Sequence, residues 1–166
     1  MLKIFVFTVA TLFAGQVFAS YGTVDMQMAL ETIKDGVNAK AKLEKEFKEK
    51  QKMLKTREAE IKKLTENYRQ QAPVMSEQNR AKKEQEIQGK MAEFQNLVQQ
   101  SQSQMQNREV QLTKPIIDAL RVTIKEIAEK NKYELVYEKN QSGIFYSKDA
   151  KDITNDVIKR YNEVHK

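Results

Sequence analysis

Few side chains in this sequence could carry out catalysis, and their spacing does not group them into a site. The single histidine, His165, is next to the C-terminus, where we expect a solvated tail. Cysteine is absent, which excludes a thiolate nucleophile and disulfides. Carboxylates lie four residues before lysines, as in Glu44 and Lys48, a spacing typical of exposed ion pairs on helices. The sequence has no glycine-rich phosphate loop and no nucleophile elbow. We therefore predict a protein that is not an enzyme and needs no metal or cofactor.

Basic side chains in the middle of the chain could bind anions. Residues 62–90 contain seven Lys and Arg against four Asp and Glu. The candidates are Lys62, Lys63, Arg69, Arg80, Lys82 and Lys83. Such a cluster favours acidic polymers, an anionic membrane surface or lipopolysaccharide phosphates, and its alternative is an ordinary solvated helix surface. Because no aromatic-interleaved binding motif accompanies the charge, we expect no nucleic-acid partner.

The segment that carries these residues predicts two long helices. Residues 38–112 are rich in good helix formers and hold 16 basic and 11 acidic side chains, a balance of +5. Pro73 removes a backbone donor and interrupts the run, so we expect a bend near residues 72–76. Each half would be about 50 Å long, and the halves should pack antiparallel as a coiled-coil-like hairpin. We call residues 38–112 the arm.

Apolar side chains recur in a heptad frame along both halves of the arm. Polar residues interrupt the frame at Lys50, Arg57, Ser101 and Arg108, so the predicted seam between the helices is narrow. The seam itself explains most of the apolar positions. Some of the large side chains would remain exposed and could contact other apolar partners. The candidates for seam or partner contacts are Phe47, Leu54, Ile61, Tyr68, Met91 and Phe94.

The first 19 residues have the pattern of a cleaved signal peptide. Lys3 precedes an apolar run at residues 4–14, and Val17-Phe18-Ala19 supplies a small-residue cleavage site. The apolar run is shorter than the roughly 20 residues that span a bilayer. We expect export and cleavage after Ala19.

Residues 20–37 and 113–166 together predict a small α+β body. A strand is expected at residues 21–24, followed by a helix capped by Asp25. A β-hairpin is predicted from residues 133–137 and 144–146, and Asp152 is a candidate cap for a last helix. Because so small a body buries little apolar surface, we predict a homo-oligomer. The candidate body core or oligomer interface consists of Ile116, Leu120, Ile124 and Ile127.

The order of these parts resembles the Skp/OmpH family of periplasmic chaperones. The resemblance is carried by the signal peptide, the strand that enters Val24-Asp25, the long Lys- and Gln-rich hairpin, Tyr133–Tyr137, and the segment from Asp152-Ile153-Thr154 to Val157-Ile158. It covers essentially the whole chain after residue 19. The predicted fold is α+β and mostly α, with a long antiparallel helical hairpin inserted into a small β body that trimerises.

The resemblance also implies a function. Members of this family are periplasmic homotrimers that enclose unfolded outer-membrane β-barrel proteins between helical arms and prevent aggregation without ATP. Lipopolysaccharide binding is associated with the family, and the basic candidates in this sequence are those named above. The alternative interpretation is a structural periplasmic adaptor whose hairpin docks onto a partner protein. A polyanion binder is a third interpretation, and salt-sensitive binding would distinguish it.

Overall fold

The computed structural model describes residues 20–165. The predicted signal peptide, residues 1–19, lies outside the described residues. The elements in chain order are strand β1 (Tyr21–Val24), helix α1 (Met26–Thr32), helix α2 (Lys34–Gln71), a 3-10 helix (Ala72–Val74), helix α3 (Glu77–Asn131), strand β2 (Leu135–Glu138), strand β3 (Lys151–Asp152) and helix α4 (Thr154–Val164). The mostly helical α+β class is confirmed.

Two helices dominate the fold and pack antiparallel. Helix α2 has 38 residues and α3 has 55. The chain reverses at the 3-10 helix that contains Pro73. Ser76 begins α3, because its side chain accepts a hydrogen bond from the Asn79 backbone N–H at 3.4 Å. Pro115 lies inside α3 without ending it, so α3 extends from the arm into the body as one helix.

A sharp corner joins α1 to α2. Ile33 has an extended backbone, with φ −67° and ψ 147°, and its side chain is fully buried. The two helices approach so closely here that a Cβ atom at Gly36 would lie 1.7 Å from the carbonyl oxygen of Leu30. Glycine is therefore required for the direction in which α2 leaves the body.

The body contains a three-stranded sheet in the order β2-β1-β3. Both outer strands are parallel to β1, with Tyr21 opposite Leu135 and Gly22 opposite Lys151. The predicted hairpin is wrong, because residues 144–146 form no strand and the third strand is β3. The alternating pattern predicted β2 correctly, but such a pattern does not specify which strand it pairs with.

The core lies where the sheet packs against α1, α4 and the last part of α3. Leu120 and Val157 are fully buried there, with Ile153 1% and Tyr161 2% exposed. Of the four apolar candidates in the body, Ile116, Leu120 and Ile127 are buried within this core, and Ile124 is half-buried against it. The Tyr161 hydroxyl donates to the Asp35 carboxylate at 3.0 Å. Burial and this bond raise the pKa of Tyr161 to about 12.

Polar contacts join the ends of the body. The Asp25 backbone N–H donates to the Thr154 hydroxyl at 3.0 Å. Asp152 accepts from the Thr154 backbone N–H at 2.9 Å and forms an ion pair with Lys139 at 3.0 Å. Asp25 caps α1 as predicted, by accepting from the Met28 N–H at 2.8 Å. Asp152 is not the cap of α4, because the cap position belongs to the next residue and makes no side-chain hydrogen bond.

Candidate functional site

The seam between α2 and α3 covers some of the predicted apolar side chains and leaves others exposed. Leu54, Ile61, Tyr68 and Phe94 are half-buried. In contrast, Phe47 is 55% and Met91 51% exposed. Two antiparallel helices can bury only the stripe at which they touch, so the large side chains at its margin remain in contact with solvent. The arm therefore presents apolar surface that this chain does not cover.

Two of the polar interruptions of the seam form hydrogen bonds across the arm. The Arg108 guanidinium binds the Glu46 carboxylate, with its Nε and one terminal nitrogen each at 3.1 Å from a carboxylate oxygen. The Lys50 ammonium donates to the Gln104 side-chain oxygen at 2.8 Å. Because the Glu46 and Arg108 side chains are both 32% exposed, solvent screens the pair, and its contribution is at most about 1 kcal/mol. These contacts therefore fix the register of the two helices but add little to the stability of their packing.

The other two interruptions make no link across the arm. Arg57 pairs with Glu60 of its own helix at 2.9 Å. Ser101 is 5% exposed, and within residues 20–165 its hydroxyl has no hydrogen-bond partner. Its small side chain permits close contact of the two helices, whereas its polarity adds nothing to their attraction.

A third link across the arm lies near the bend. The Tyr68 hydroxyl donates a hydrogen bond to the Glu84 carboxylate. This bond raises the pKa of Tyr68 above its ordinary value, because it stabilises the protonated phenol. The aromatic ring and the charged partner together keep the two helices in contact next to the 3-10 turn.

The structure divides the six basic candidates between different faces of the arm. Lys62, Arg69 and Arg80 line one groove near the bend, together with Tyr68 and Met91. That groove is open and has a volume of about 870 Å³.

The remaining three candidates lie elsewhere. Lys63 belongs to a shallow surface on α2 that also includes Lys48, Lys52 and Lys55. Lys82 is exposed outside both grooves, and Lys83 pairs with Glu86 at 2.7 Å. The six residues therefore do not form one anion site in a single chain.

A row of lysines on α2 was missed in the sequence. Lys45, Lys48, Lys52 and Lys55 recur every three or four residues, so they share one helix face. All four are exposed, and none has an acidic partner within the ion-pair distance of 4.0 Å in residues 20–165. The net charge of the whole segment does not show this row. The row is seen only when each lysine is assigned to its position around the helix.

Helix α3 has a contrasting surface that was also missed. Residues 94–107 include eight Gln and Asn side chains and no charged residue. Among these eight, Gln104 alone makes a side-chain hydrogen bond to another described residue. The arm thus has a basic face on α2 and an uncharged, amide-rich face on α3.

An apolar groove lies between these two faces. Its volume is about 630 Å³. Its apolar lining comes from Leu43, Phe47, Leu54, Val98 and Met105, and its uncharged polar lining from Gln51, Ser101, Gln102 and Gln106. Three charged residues, Glu44, Lys50 and Glu109, also line it. A second groove further along the arm is lined by Ile61, Leu64, Phe94 and Leu97 among charged residues. Both are open surfaces suited to contact with apolar side chains of a partner.

Metal-ligand groups and the single histidine were the chemical features that the sequence left to test. No group of three His, Asp or Glu side chains within residues 20–165 is placed to hold a metal ion. The expectation of a solvated His165 is wrong: its ring stacks on Tyr161 with centroids 4.2 Å apart, and its Nδ1 lies 3.1 Å from the Tyr161 carbonyl oxygen. This histidine packs against the end of α4.

No helix within residues 20–165 has the length and apolar character needed to cross a bilayer.

Three comparisons relate the chain to known proteins. The sequence model of the family described as outer membrane protein (OmpH-like) matches residues 20–161. The chaperone protein Skp of Photorhabdus laumondii is 27% identical over 118 residues, which are 71% of this chain and 70% of that protein. The crystal structure of a candidate outer membrane chaperone (OmpH-like) from Caulobacter crescentus aligns with a TM-score of 0.76 at 13% identity, over 90% of this chain and 88% of that chain. The last likeness shows a shared fold.

Proposed function

The chain belongs to the OmpH-like outer membrane protein family, and from this membership we propose that it is a periplasmic, ATP-independent holdase chaperone. Its clients are unfolded outer-membrane β-barrel proteins, which it encloses between helical arms and keeps from aggregating. The similarity to a chaperone named Skp supports the chaperone role. The observation that carries the holdase mechanism is the arm, whose narrow seam leaves Phe47 and Met91 about half exposed.

Unfolded β-barrel proteins need this kind of surface. Their strands alternate apolar and polar side chains, and their unpaired edges aggregate. A holdase covers such segments without imposing one geometry, so many weak contacts serve better than one shaped pocket. Exposed apolar side chains spread along a long arm provide weak contacts of this kind. The +5 balance of residues 38–112 adds long-range attraction to acidic clients.

We further propose that the protein acts as a homotrimer assembled through its body. Within the chain, Ile144, Phe145 and Tyr146 are 41%, 104% and 80% exposed. In the three-stranded sheet, β2 has β1 on one side and no strand on the other. An unpaired strand edge is a template for pairing with another copy, and exposed large apolar side chains add surface that a second copy can cover. In this proposal, residues 20–37 and 113–166 form the body and residues 38–112 the arm.

Two further features of the proposal concern location and accessory binding. Residues 1–19 would act as a signal peptide that directs export to the periplasm. The groove with Lys62, Arg69 and Arg80 is the candidate contact for lipopolysaccharide or an anionic membrane surface. Salt-sensitive retention on anionic vesicles, lost in a variant with these three residues changed to Gln, would support that contact.

Suppression of aggregation tests the holdase proposal. A urea-unfolded outer-membrane β-barrel protein is diluted into buffer with the protein, and light scattering is followed without ATP. We expect suppression at about one trimer per client and a partial loss for the double variant Phe47→Ser, Met91→Ser. Unchanged scattering with the wild-type protein would overturn the proposal.

A variant at the bend separates the holdase from an adaptor. Val74 is 88% exposed at the end of the arm, where a hairpin that docks end-on would contact its partner. For a holdase, Val74→Ser should leave the suppression of aggregation nearly unchanged, because contacts are spread along the arm. A loss larger than that of the Phe47 and Met91 double variant would favour docking through the tip.

A further inference from the structure

We propose that clients contact one side of the arm, at an apolar groove with a rim of uncharged amides. We call it the amide groove. We use the word floor for its apolar residues Phe47, Leu54, Val98 and Met105 and the word rim for its amides Gln51, Gln102 and Gln106; Glu44, Lys50 and Glu109 also line it. The occupant is an extended segment of unfolded polypeptide with alternating apolar side chains. This inference rests on the proposed holdase function and specifies where the client lies.

The apolar floor of the groove is exposed, and its length along α2 limits how many client residues it can contact. Phe47 is 55% and Val98 37% exposed, so neither is covered by the chain's own packing. Phe47 and Leu54 are seven residues apart on α2, which corresponds to about 10 Å along the helix. An extended chain advances about 3.4 Å per residue, with alternate side chains on one face. The groove therefore holds about three residues and receives two of their side chains.

The rim provides what the backbone of an extended segment lacks. Such a backbone has unpaired N–H and C=O groups, which are costly to bury without partners. A glutamine side chain offers both a donor and an acceptor. In residues 20–165, Gln51, Gln102 and Gln106 make no side-chain hydrogen bond, so all three amides are available. They can bind a backbone of any sequence, which suits a chaperone with many clients.

The distribution of charge indicates which side of the arm the client contacts. Residues 94–107, which supply Val98, Gln102 and Met105 to the groove, carry no charge, so an uncharged strand segment that follows this side of the groove desolvates no ion there. The charged residues of the lining, Glu44, Lys50 and Glu109, lie outside that stretch, and the Lys50 ammonium is bonded to Gln104 at 2.8 Å.

The lysine row of α2 lies on the adjoining face, and Gln51 lines both that surface and the groove. One of these lysines, Lys52, lies at the same position along the arm as Gln102. The contacts Lys50–Gln104 and Glu46–Arg108 show which residues of the two helices are opposite each other, and the same register places Lys52 opposite Gln102. Covering the lysines with an apolar segment would remove water from unpaired ammonium groups.

Crosslinking from matched positions tests the inference directly. The sequence has no cysteine, so Gln102→Cys and Lys52→Cys each introduce one thiol for a benzophenone photocrosslinker. After capture of a urea-unfolded β-barrel protein, we expect at least about fivefold more crosslinked client from position 102 than from position 52. Equal yields, or a higher yield from position 52, would overturn the inference. Crosslinks from position 102 that join two copies of the chain instead of the client would also overturn it.

Two charge-matched triple variants provide a second test. Gln51→Glu, Gln102→Glu, Gln106→Glu and Lys48→Gln, Lys52→Gln, Lys55→Gln each lower the net charge by three, so a general electrostatic effect is the same for both. We expect the first variant to raise the Kd for the client about tenfold more than the second, because anionic rim groups lose donors and must be desolvated. An equal effect would contradict a site at the groove.

Failure of the inference differs from failure of the proposed function. If the protein suppresses aggregation but crosslinks mainly through Lys52→Cys, the holdase function stands and the amide groove is not its client site. If the wild-type protein does not suppress aggregation and neither position crosslinks the client, the proposed function fails and the inference fails with it.

Discussion

The corner between α1 and α2 yields a sharp prediction, because a single methyl group should disrupt it. In Gly36→Ala, the new Cβ would lie 1.7 Å from the Leu30 carbonyl oxygen and 2.8 Å from its carbon. Ordinary contacts of a Cβ atom begin at 3.4 Å, so the backbone of Leu30 must move by about 1.7 Å. The obstacle is backbone and cannot rotate away as a side chain would.

The expected cost follows from the tight packing around this corner. Ala29 and Ile33 are both fully buried there, so a shift of Leu30 disturbs the core that anchors the arm. Overpacking of a core typically costs about 1–3 kcal/mol, and we expect a cost of about 3 kcal/mol for Gly36→Ala because backbone must move. For a chain of this size, that corresponds to a fall of about 6–12 °C in Tm.

Gly89→Ala is the matched control. A Cβ at Gly89 meets nothing within 4 Å, and the residue lies inside α3. Alanine there should stabilise the helix by about 0.5–1 kcal/mol, since glycine is a poor helix former. Thermal and urea unfolding, followed by circular dichroism at 222 nm, should therefore change in opposite directions for the two variants. A Gly36→Ala protein as stable as wild type would refute the geometry of the corner.

Three other predictions concern the body. The Thr154 hydroxyl and N–H donate to Asp152 and hold the pKa of its carboxyl below the ordinary value. This contribution to stability is therefore present above about pH 4 and is lost as the pH falls through the lower folded pKa. In Asp152→Asn, the urea midpoint should fall less steeply than in the wild type as the pH is lowered. The pKa of Tyr161 is raised to about 12, so stability should be lost as the pH rises above about 10. Tyr161→Phe should remove that loss and should cost about 1 kcal/mol at pH 7, because it removes the hydrogen bond to Asp35. Absorbance at 295 nm measures the ionisation of the phenol and urea unfolding measures stability; an unchanged loss of stability at alkaline pH in the variant would contradict the assignment. Lys132 ends α3 with φ 59°, so Lys132→Gly should raise the unfolding free energy by about 1 kcal/mol, and a lower urea midpoint would show that the side chain has another role.

Local rules predicted much of this fold from the sequence. The apolar heptads and Pro73 predicted two long helices with a break, and the helices on either side of the 3-10 turn have this arrangement. Asp25 predicted the start of α1 by its capping chemistry. These features depend on neighbours within one or two turns, so a single sequence contains the information for them.

The pairing of strands that are distant in the chain could not be predicted from the sequence. Alternating side chains predicted a strand near Leu135, but its partner β1 is more than a hundred residues earlier in the chain. The pattern at residues 144–146 looked equally strand-like, yet the described chain provides no strand partner for Phe145. Which strands pair depends on how the helices bring the two ends of the chain together, and periodicity carries no such information.

The candidate site was predictable in its residue types but not in its grouping. The heptad frame identified Phe47 and Met91 as members of an apolar stripe, but a stripe does not reveal which of its members the partner helix leaves exposed. The six basic candidates are close in sequence, whereas the structure divides them between grooves on different faces. Their spacing around the helix decides this division, and net charge per segment averages over it.

The mass of the complex in solution tests the central claim most directly. The protein from Ser20 onward is analysed by size exclusion with light scattering, alone and after dilution of one unfolded outer-membrane β-barrel protein into it. We expect a mass of three chains alone, and three chains plus one client in a soluble complex formed without ATP. A single chain that passes through unchanged while the client aggregates would contradict the account.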